Sequence, residues 1–204
     1  LCSGHVSFGN RKFHCWKKEG HGYVNLHEAI EKSCDCYFYN LAKTVKIDDL
    51  AKFSNLFSYG QRTGIDIPNE LKGIMPDRKW KIKNRNEKWQ KCETLNTVIG
   101  QGFMLSTPLQ ITLMTARIAT GKKIIPTIIS NKKEFENLNI SNENLEFIKS
   151  SMFSVVNDST GTAFGSKLKG NQKMAGKTGT SQVRRISLEE REDGVIKNEE
   201  LNYK

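Results

Sequence analysis

Residues 176–183 read Gly176-Lys177-Thr178-Gly179-Thr180-Ser181-Gln182-Val183, and the run reads as one wall of an active site. Lys177 supplies a cation, and the hydroxyls of Thr178 and Thr180 suit a carboxylate. Gly179 has no Cβ, so a substrate backbone can approach it. The backbone N–H of Thr180 suits a developing oxyanion. The pattern predicts a strand over 172–184. A Lys-Thr-Gly triplet is also what an ordinary edge strand carries, so its meaning depends on the rest of the chain.

The rest supplies a partner. Ser33-Cys34-Asp35 lies far upstream within a stretch of helical periodicity, residues 25–44. There Asn25 caps, Glu28 completes a capping box, and Leu26, Ala29 and Ile30 recur at helical spacing. The helix is expected to break near Ser33 and resume through 37–45. A serine and a carboxylate two residues apart at a helix junction can both face one cleft, although Ser and Asp are also common N-caps.

Other elements are expected from similar signals. A helix over 48–59 begins at Asp48 and stops at Gly60. A helix over 107–119 has Thr107 as its cap and Pro108 in its first turn. Another helix is expected over 142–157 and a strand over 124–129. Residues 1–24, rich in Gly, Cys, His and Lys, read as irregular. Residues 61–95 read as loop punctuated by Gly64, Pro68, Gly73 and Pro76, and 187–204 as a charged loop or hairpin. The mixture indicates an α/β or α+β domain.

Composition narrows the function. The net charge is +10 in 204 residues. The lysines are spread along the chain and no nucleic-acid motif accompanies them, which argues against nucleic acid as a partner. No apolar run approaches the 18 or so residues of a membrane span. Leu1 is not a Met and Lys204 ends in charged sequence, so both ends read as cut.

The ordered set of motifs resembles a known family. The stretch GHGYVNLHEAIEKSCDCYFY (20–39) is followed by Tyr59-Gly60 and Thr63-Gly64-Ile65-Asp66. Then come Ile99-Gly100-Gln101-Gly102, Thr107-Pro108-Leu109-Gln110, Gly161-Thr162-Ala163 and Gly176–Thr180. Nearly the whole chain is similar to the transpeptidase domain of class B penicillin-binding protein 2, the elongation-type peptidoglycan D,D-transpeptidase. Such enzymes carry S-x-x-K, a Ser-Asp/Asn motif and K-T-G in that order. The resemblance implies a penicillin-binding, serine-acyltransferase (β-lactamase-like) fold, here partial: a helical subdomain plus part of an antiparallel sheet flanked by helices. It implies that Ser33 relays a proton and that Asp35 orients the first-motif lysine and the substrate amide. Lys177 would set the field, and Thr178, Gly179 and Thr180 would bind substrate.

It also implies partners: a stem peptide ending in D-Ala-D-Ala, β-lactams, and the cell-elongation machinery with its glycosyltransferase. The expected location is the periplasmic face of the inner membrane, with the anchor outside this chain. The alternatives are a β-lactamase or β-lactam sensor on the same fold, and a truncated, non-catalytic interaction module.

One element of the family pattern is missing. The S-x-x-K nucleophile belongs well before Ser33. The two matches here, Ser130–Lys133 and Ser166–Lys169, lie after it in polar sequence, where chance supplies such patterns. Residues 1–204 are therefore expected to be a partial domain, without the S-x-x-K segment and the closing C-terminal strands, inactive by itself and with an open sheet edge.

Five cysteines remain: Cys2, Cys15, Cys34, Cys36 and Cys92. Cys2, Cys15, His21 and Cys34 form a Cys3His set, a recognised structural zinc combination, with His5 and His14 as alternative ligands. Some relatives hold zinc beside the second motif. A disulfide, which a periplasmic setting allows, and plain buried thiols stay open as alternatives. No cofactor is expected for catalysis.

Overall fold

A computed structural model describes residues 1–129 and 134–180 of the chain. The N-terminal segment is not irregular. Strands β1 (His5–Phe8) and β2 (Arg11–His14) form an antiparallel hairpin turning at Gly9-Asn10, with Val6 opposite Phe13. Its periodicity is easily overlooked because only Val6 and Phe13 on these short strands are buried. This hairpin is the only sheet among the described residues.

The helical stretch breaks where expected. Helix α1 (Leu26–Glu31) is opened by the Asn25–Glu28 capping box, and α2 (Asp35–Ala42) follows after a sharp turn. Ser33 occupies that turn in the left-handed conformation, φ +52°. Helix α3 (Ile47–Ser54) passes into a 3-10 turn over Asn55–Phe57 and closes at Ser58, also left-handed, one residue pair before the expected Gly60.

Residues 61–95 contain two helices where loop was expected: α4 (Arg78–Arg85), capped by Asp77, and α5 (Lys91–Val98), opened by Gln90 and Glu93. In α4 five of the eight residues are Lys or Arg, so little apolar periodicity shows. Lys81, buried in α4, stands where an apolar residue would be looked for, and its ammonium pairs with Glu93 and Glu87. Helices α6 (Pro108–Thr120) and α7 (Asn142–Asn157) match expectation closely, with Thr107 and Ser141 as caps.

Residues 124–129 form no strand; the local pairing is a single bridge between Lys122 and Asn137. Residues 172–180 belong to no sheet either, and the rest of that expected strand, like 187–204, lies outside the described residues.

The core has two parts. The hairpin, α2 and α5 enclose Cys2, Val6, Phe13, Cys15, Cys34, Cys36, Tyr39 and Leu95. Helix α1 packs on α7 through Ile30, Val155 and Val156. Helix α1 thus belongs to both halves, and the Ser33 turn emerges at their junction.

Candidate active site and Cys/His cluster

Lys177 and Ser33 are 144 residues apart in sequence, yet the Lys177 Nζ donates to the Ser33 Oγ. Nζ also donates to the Thr178 carbonyl at 3.0 Å. The Ser33 Oγ lies 3.1 Å from the Thr178 Oγ1. The convergence has local causes. The αL turn lifts Ser33 off the helix axis, with the Cys34 N–H bonded back to the Ala29 carbonyl at 2.9 Å. The 174–178 segment is tied to α7 by the Gly176 N–H on the Met152 carbonyl (3.0 Å) and the Asn157 amide on the Met174 carbonyl (2.8 Å).

Asp35 opens α2, and its carboxylate accepts the Trp16 N–H at 3.1 Å. The indole N–H of Trp16 donates to the Lys32 carbonyl at 3.0 Å. Trp16 therefore clamps both sides of the Ser33 turn, a role its sequence position does not announce. Burial, followed by the charge on Cys15, raises the Asp35 pKa to about 6. Lys177 is exposed as a residue, but its ammonium is drawn in among hydroxyls. Desolvation there lowers its pKa, and the Asp35 carboxylate opposes the shift.

Gly179 and Thr180 sit on the open side of this wall. A Cβ built on Gly179 meets nothing within 4 Å among the described residues, so a backbone can approach there. Ser166 and Lys169 make no hydrogen bond to Ser33, Asp35 or Lys177 among the described residues, and Ser130–Lys133 lies outside them.

Directly behind the Ser33 turn, Cys2, Cys15, His21 and Cys34 present ligand atoms all within 4.8 Å of one another. The His21 Nδ1 lies 3.6 Å from the Cys2 Sγ and 3.5 Å from the Cys15 Sγ. A tetrahedral zinc with ordinary Zn–S and Zn–N bonds separates S from N by about 3.5 Å, so the donor set and the spacing fit the ion. Two close approaches assemble it. Cys2 and Gly22 exchange backbone hydrogen bonds of 2.7 and 3.0 Å. A Cβ at Gly20 would stand 2.2 Å from the Cys2 carbonyl oxygen, so only glycine allows the His21 segment to lie against Cys2.

The thiols also show how ill-suited the cluster is to several uncompensated negative charges. The hydrogen bond from Cys34 lowers Cys15 to about 4, while Cys34 is pushed up by the same bond and by burial. Cys36 is raised by burial and by Cys2 and Cys15. One thiolate is stabilised at its neighbours' expense, an imbalance that a cation would remove. The described cysteines form no disulfide. His5 and His14 face each other across the hairpin, ring centroids 6.0 Å apart, outside the four-atom cluster.

A lysine, a serine and a threonine are thus brought together beside a helix break, the arrangement that the motif order led one to expect. Comparison with known proteins agrees. The model of the penicillin binding protein transpeptidase domain matches residues 3–194. The peptidoglycan D,D-transpeptidase MrdA of Acinetobacter baumannii is 36% identical over 213 residues, covering 98% of this chain and 31% of the relative. MrdA of Haemophilus influenzae is 34% identical over 195 residues, covering 89% of this chain and 30% of its own length.

Among solved structures, penicillin-binding protein 2 of Helicobacter pylori in complex with MreC superposes with a TM-score of 0.83 at 41% identity, over 88% of this chain and 34% of that one. The Pseudomonas aeruginosa protein in complex with WCK 5153 gives 0.82 at 34% identity, over 91% of this chain and 45% of that one. The chain belongs to the penicillin-binding protein transpeptidase-domain family, and it spans about a third of the length of the curated relatives it matches.

Proposed function

We propose that residues 1–204 carry the second and third motifs of a peptidoglycan D,D-transpeptidase that crosslinks stem peptides during cell elongation. The observation that carries this reading is the hydrogen bond from Lys177 to Ser33, 144 residues away, with Thr178 beside it. The nucleophile is the serine of an S-x-x-K segment outside residues 1–204, since both matches within them follow Ser33.

In this reaction the nucleophile oxygen attacks the penultimate D-Ala carbonyl. An ester bond forms, the peptide C–N bond breaks, and the terminal D-Ala leaves with a proton delivered through the Ser33 hydroxyl. The amine of a neighbouring stem peptide then attacks the ester and returns the nucleophile. Lys177, Thr178 and Thr180 hold the substrate carboxylate. The Thr180 N–H serves the oxyanion, and the open face of Gly179 admits the peptide. Asp35, fixed by Trp16, orients the first-motif lysine and the substrate amide. A β-lactam is taken by the same wall, its carboxylate standing for that of the terminal D-Ala.

Cys2, Cys15, His21 and Cys34 hold a structural zinc ion that fixes the hairpin against the Ser33 turn; it takes no part in the chemistry. A site of this kind works on the periplasmic face of the inner membrane, with the anchor outside these residues. No described helix is long and apolar enough to cross a membrane. The Helicobacter pylori relative was solved with MreC, and another neighbour belongs to a peptidoglycan synthase complex that couples polymerization to crosslinking; both support cell-wall assembly proteins as partners.

A fluorescent penicillin tests the reading. The full-length protein containing this chain is expected to label covalently, and residues 1–204 alone are not. Labelling of the isolated chain would place the nucleophile elsewhere. Steady hydrolysis of nitrocefin would make the protein a β-lactamase instead.

A further inference from the structure

A third hydroxyl stands at the site, from a segment to which the reading above gives no role. The Thr162 Oγ1 lies 2.8 Å from the Thr178 Oγ1 and 3.3 Å from the Ser33 Oγ. Ser33, Thr178 and Thr162 thus form a triangle of hydroxyls, with the Lys177 ammonium donating to its Ser33 corner. Thr162 is fixed from behind. Its N–H and its Oγ1 both donate to the Glu31 carbonyl, at 3.2 and 3.4 Å. The Thr160 hydroxyl donates to the buried Glu31 carboxylate. The turn between them has no slack, because a Cβ on Gly161 would stand 2.4 Å from the Ser154 and Val155 carbonyl oxygens. Glu31 lies two residues before Ser33, so the 158–163 turn and the Ser33 turn are locked together.

We infer that Thr162 is a positioning residue for the acyl-transfer site, setting the direction of the Thr178 hydroxyl proton and leaving that of Ser33 free. The donor and acceptor inventory gives the sense. The Glu31 carbonyl only accepts, so the Thr162 proton goes to it, and the Thr162 oxygen is left to accept from Thr178, the nearer of its two hydroxyl neighbours at 2.8 Å. The ammonium of Lys177 only donates and meets the Ser33 oxygen from the other side. With the Thr162 and Thr178 protons so committed, Ser33 takes the Lys177 ammonium on its oxygen and its own proton is left free to turn to the leaving nitrogen. Thr162 touches no reacting atom, and it acts by holding the groups that do. This inference rests on the transpeptidase reading.

The test uses the full-length protein and the second-order rate of acylation by a fluorescent penicillin, measured from pH 6 to 9 beside thermal melts. Thr162→Val keeps the shape and removes the hydroxyl, while Thr162→Ser restores it. Thr162→Val is expected to acylate about 10- to 100-fold more slowly, with an altered pH profile and a melting temperature close to wild type. Thr162→Ser is expected to stay within about threefold. Equal rates for Thr162→Val and wild type would overturn the inference, as would equal losses in the two variants. A loss in Thr162→Val that recovers fully once its folded fraction is restored at lower temperature would also overturn it. If the wild-type protein itself never acylates, the transpeptidase reading falls and this inference falls with it.

Discussion

Ser33 carries two kinds of information, and only one was legible in the sequence. Its identity and its place before Asp35 were readable as a motif. Its left-handed backbone, φ +52°, was not, because no glycine marks the position. A serine in that region costs about 1–2 kcal/mol, strain of the kind that persists at functional sites. Ser33→Gly is therefore expected to melt at the same or a higher temperature in scanning calorimetry, while penicillin acylation falls about 100-fold or more. A clearly lower melting temperature would show that the turn is not strained. Lys177 gives a second prediction at this scale. Desolvation lowers its pKa from the ordinary value, so the folded state binds fewer protons than the unfolded state between the two values. The resulting cost is fully present at neutral pH and fades as pH rises through that alkaline window. Lys177→Met is expected to melt at or above wild type at pH 7, with the difference shrinking towards pH 10.5. A Lys177→Met protein that is less stable at pH 7 and gains nothing on the alkaline side would contradict this.

Helices were legible where capping and apolar spacing agreed, as in α6 and α7. They were hidden where charge did the work of packing, as in α4 with its buried Lys81. The hairpin strands, four residues each, are too short to show a clear period, and the isoleucines of 124–129 stand in a segment that pairs with no strand. Helix α6 shows what a motif can leave unsaid. Thr107-Pro108-Leu109-Gln110 reads as a helix start, and the Gln110 Oε1 does accept the Thr107 N–H at 2.9 Å. The other end of that side chain, fully buried, donates to the carbonyls of Ser58, Gln61 and Lys72 at 2.7, 2.8 and 2.9 Å. Two turns further along, Arg117 binds the Leu56 and Ile124 carbonyls and the Ser58 hydroxyl. Helix α6 thus fastens three loops that have little core of their own. Gln110→Leu leaves those carbonyls without their donor and is expected to cost about 2–4 kcal/mol in urea unfolding. A change below about 0.5 kcal/mol would mean that the loops hold themselves.

At the scale of the molecule, the site lies at a junction. One half of the structure brings the Cys/His cluster behind Ser33, and the other brings the 158–163 turn and Lys177 in front of it. The sequence named most of the residues involved, because their types and order are distinctive. It left out Trp16, Glu31 and the role of Thr162, which act through backbone carbonyls and through contacts 16 to 131 residues apart. The cluster predicts stoichiometric zinc in the purified protein by elemental analysis. It also predicts that a strong chelator, or Cys34→Ala, lowers the melting temperature and removes the metal. Metal-free protein with a Cys2–Cys15 disulfide would sink that assignment. The most direct test of the central claim is peptide mapping by mass spectrometry after the full-length protein reacts with benzylpenicillin. The account predicts one acyl adduct, on the serine of an S-x-x-K segment outside residues 1–204, and its loss or strong slowing in Ser33→Ala and Lys177→Ala. No adduct at all, an adduct on Ser130 or Ser166, or undiminished acylation in both variants would contradict it.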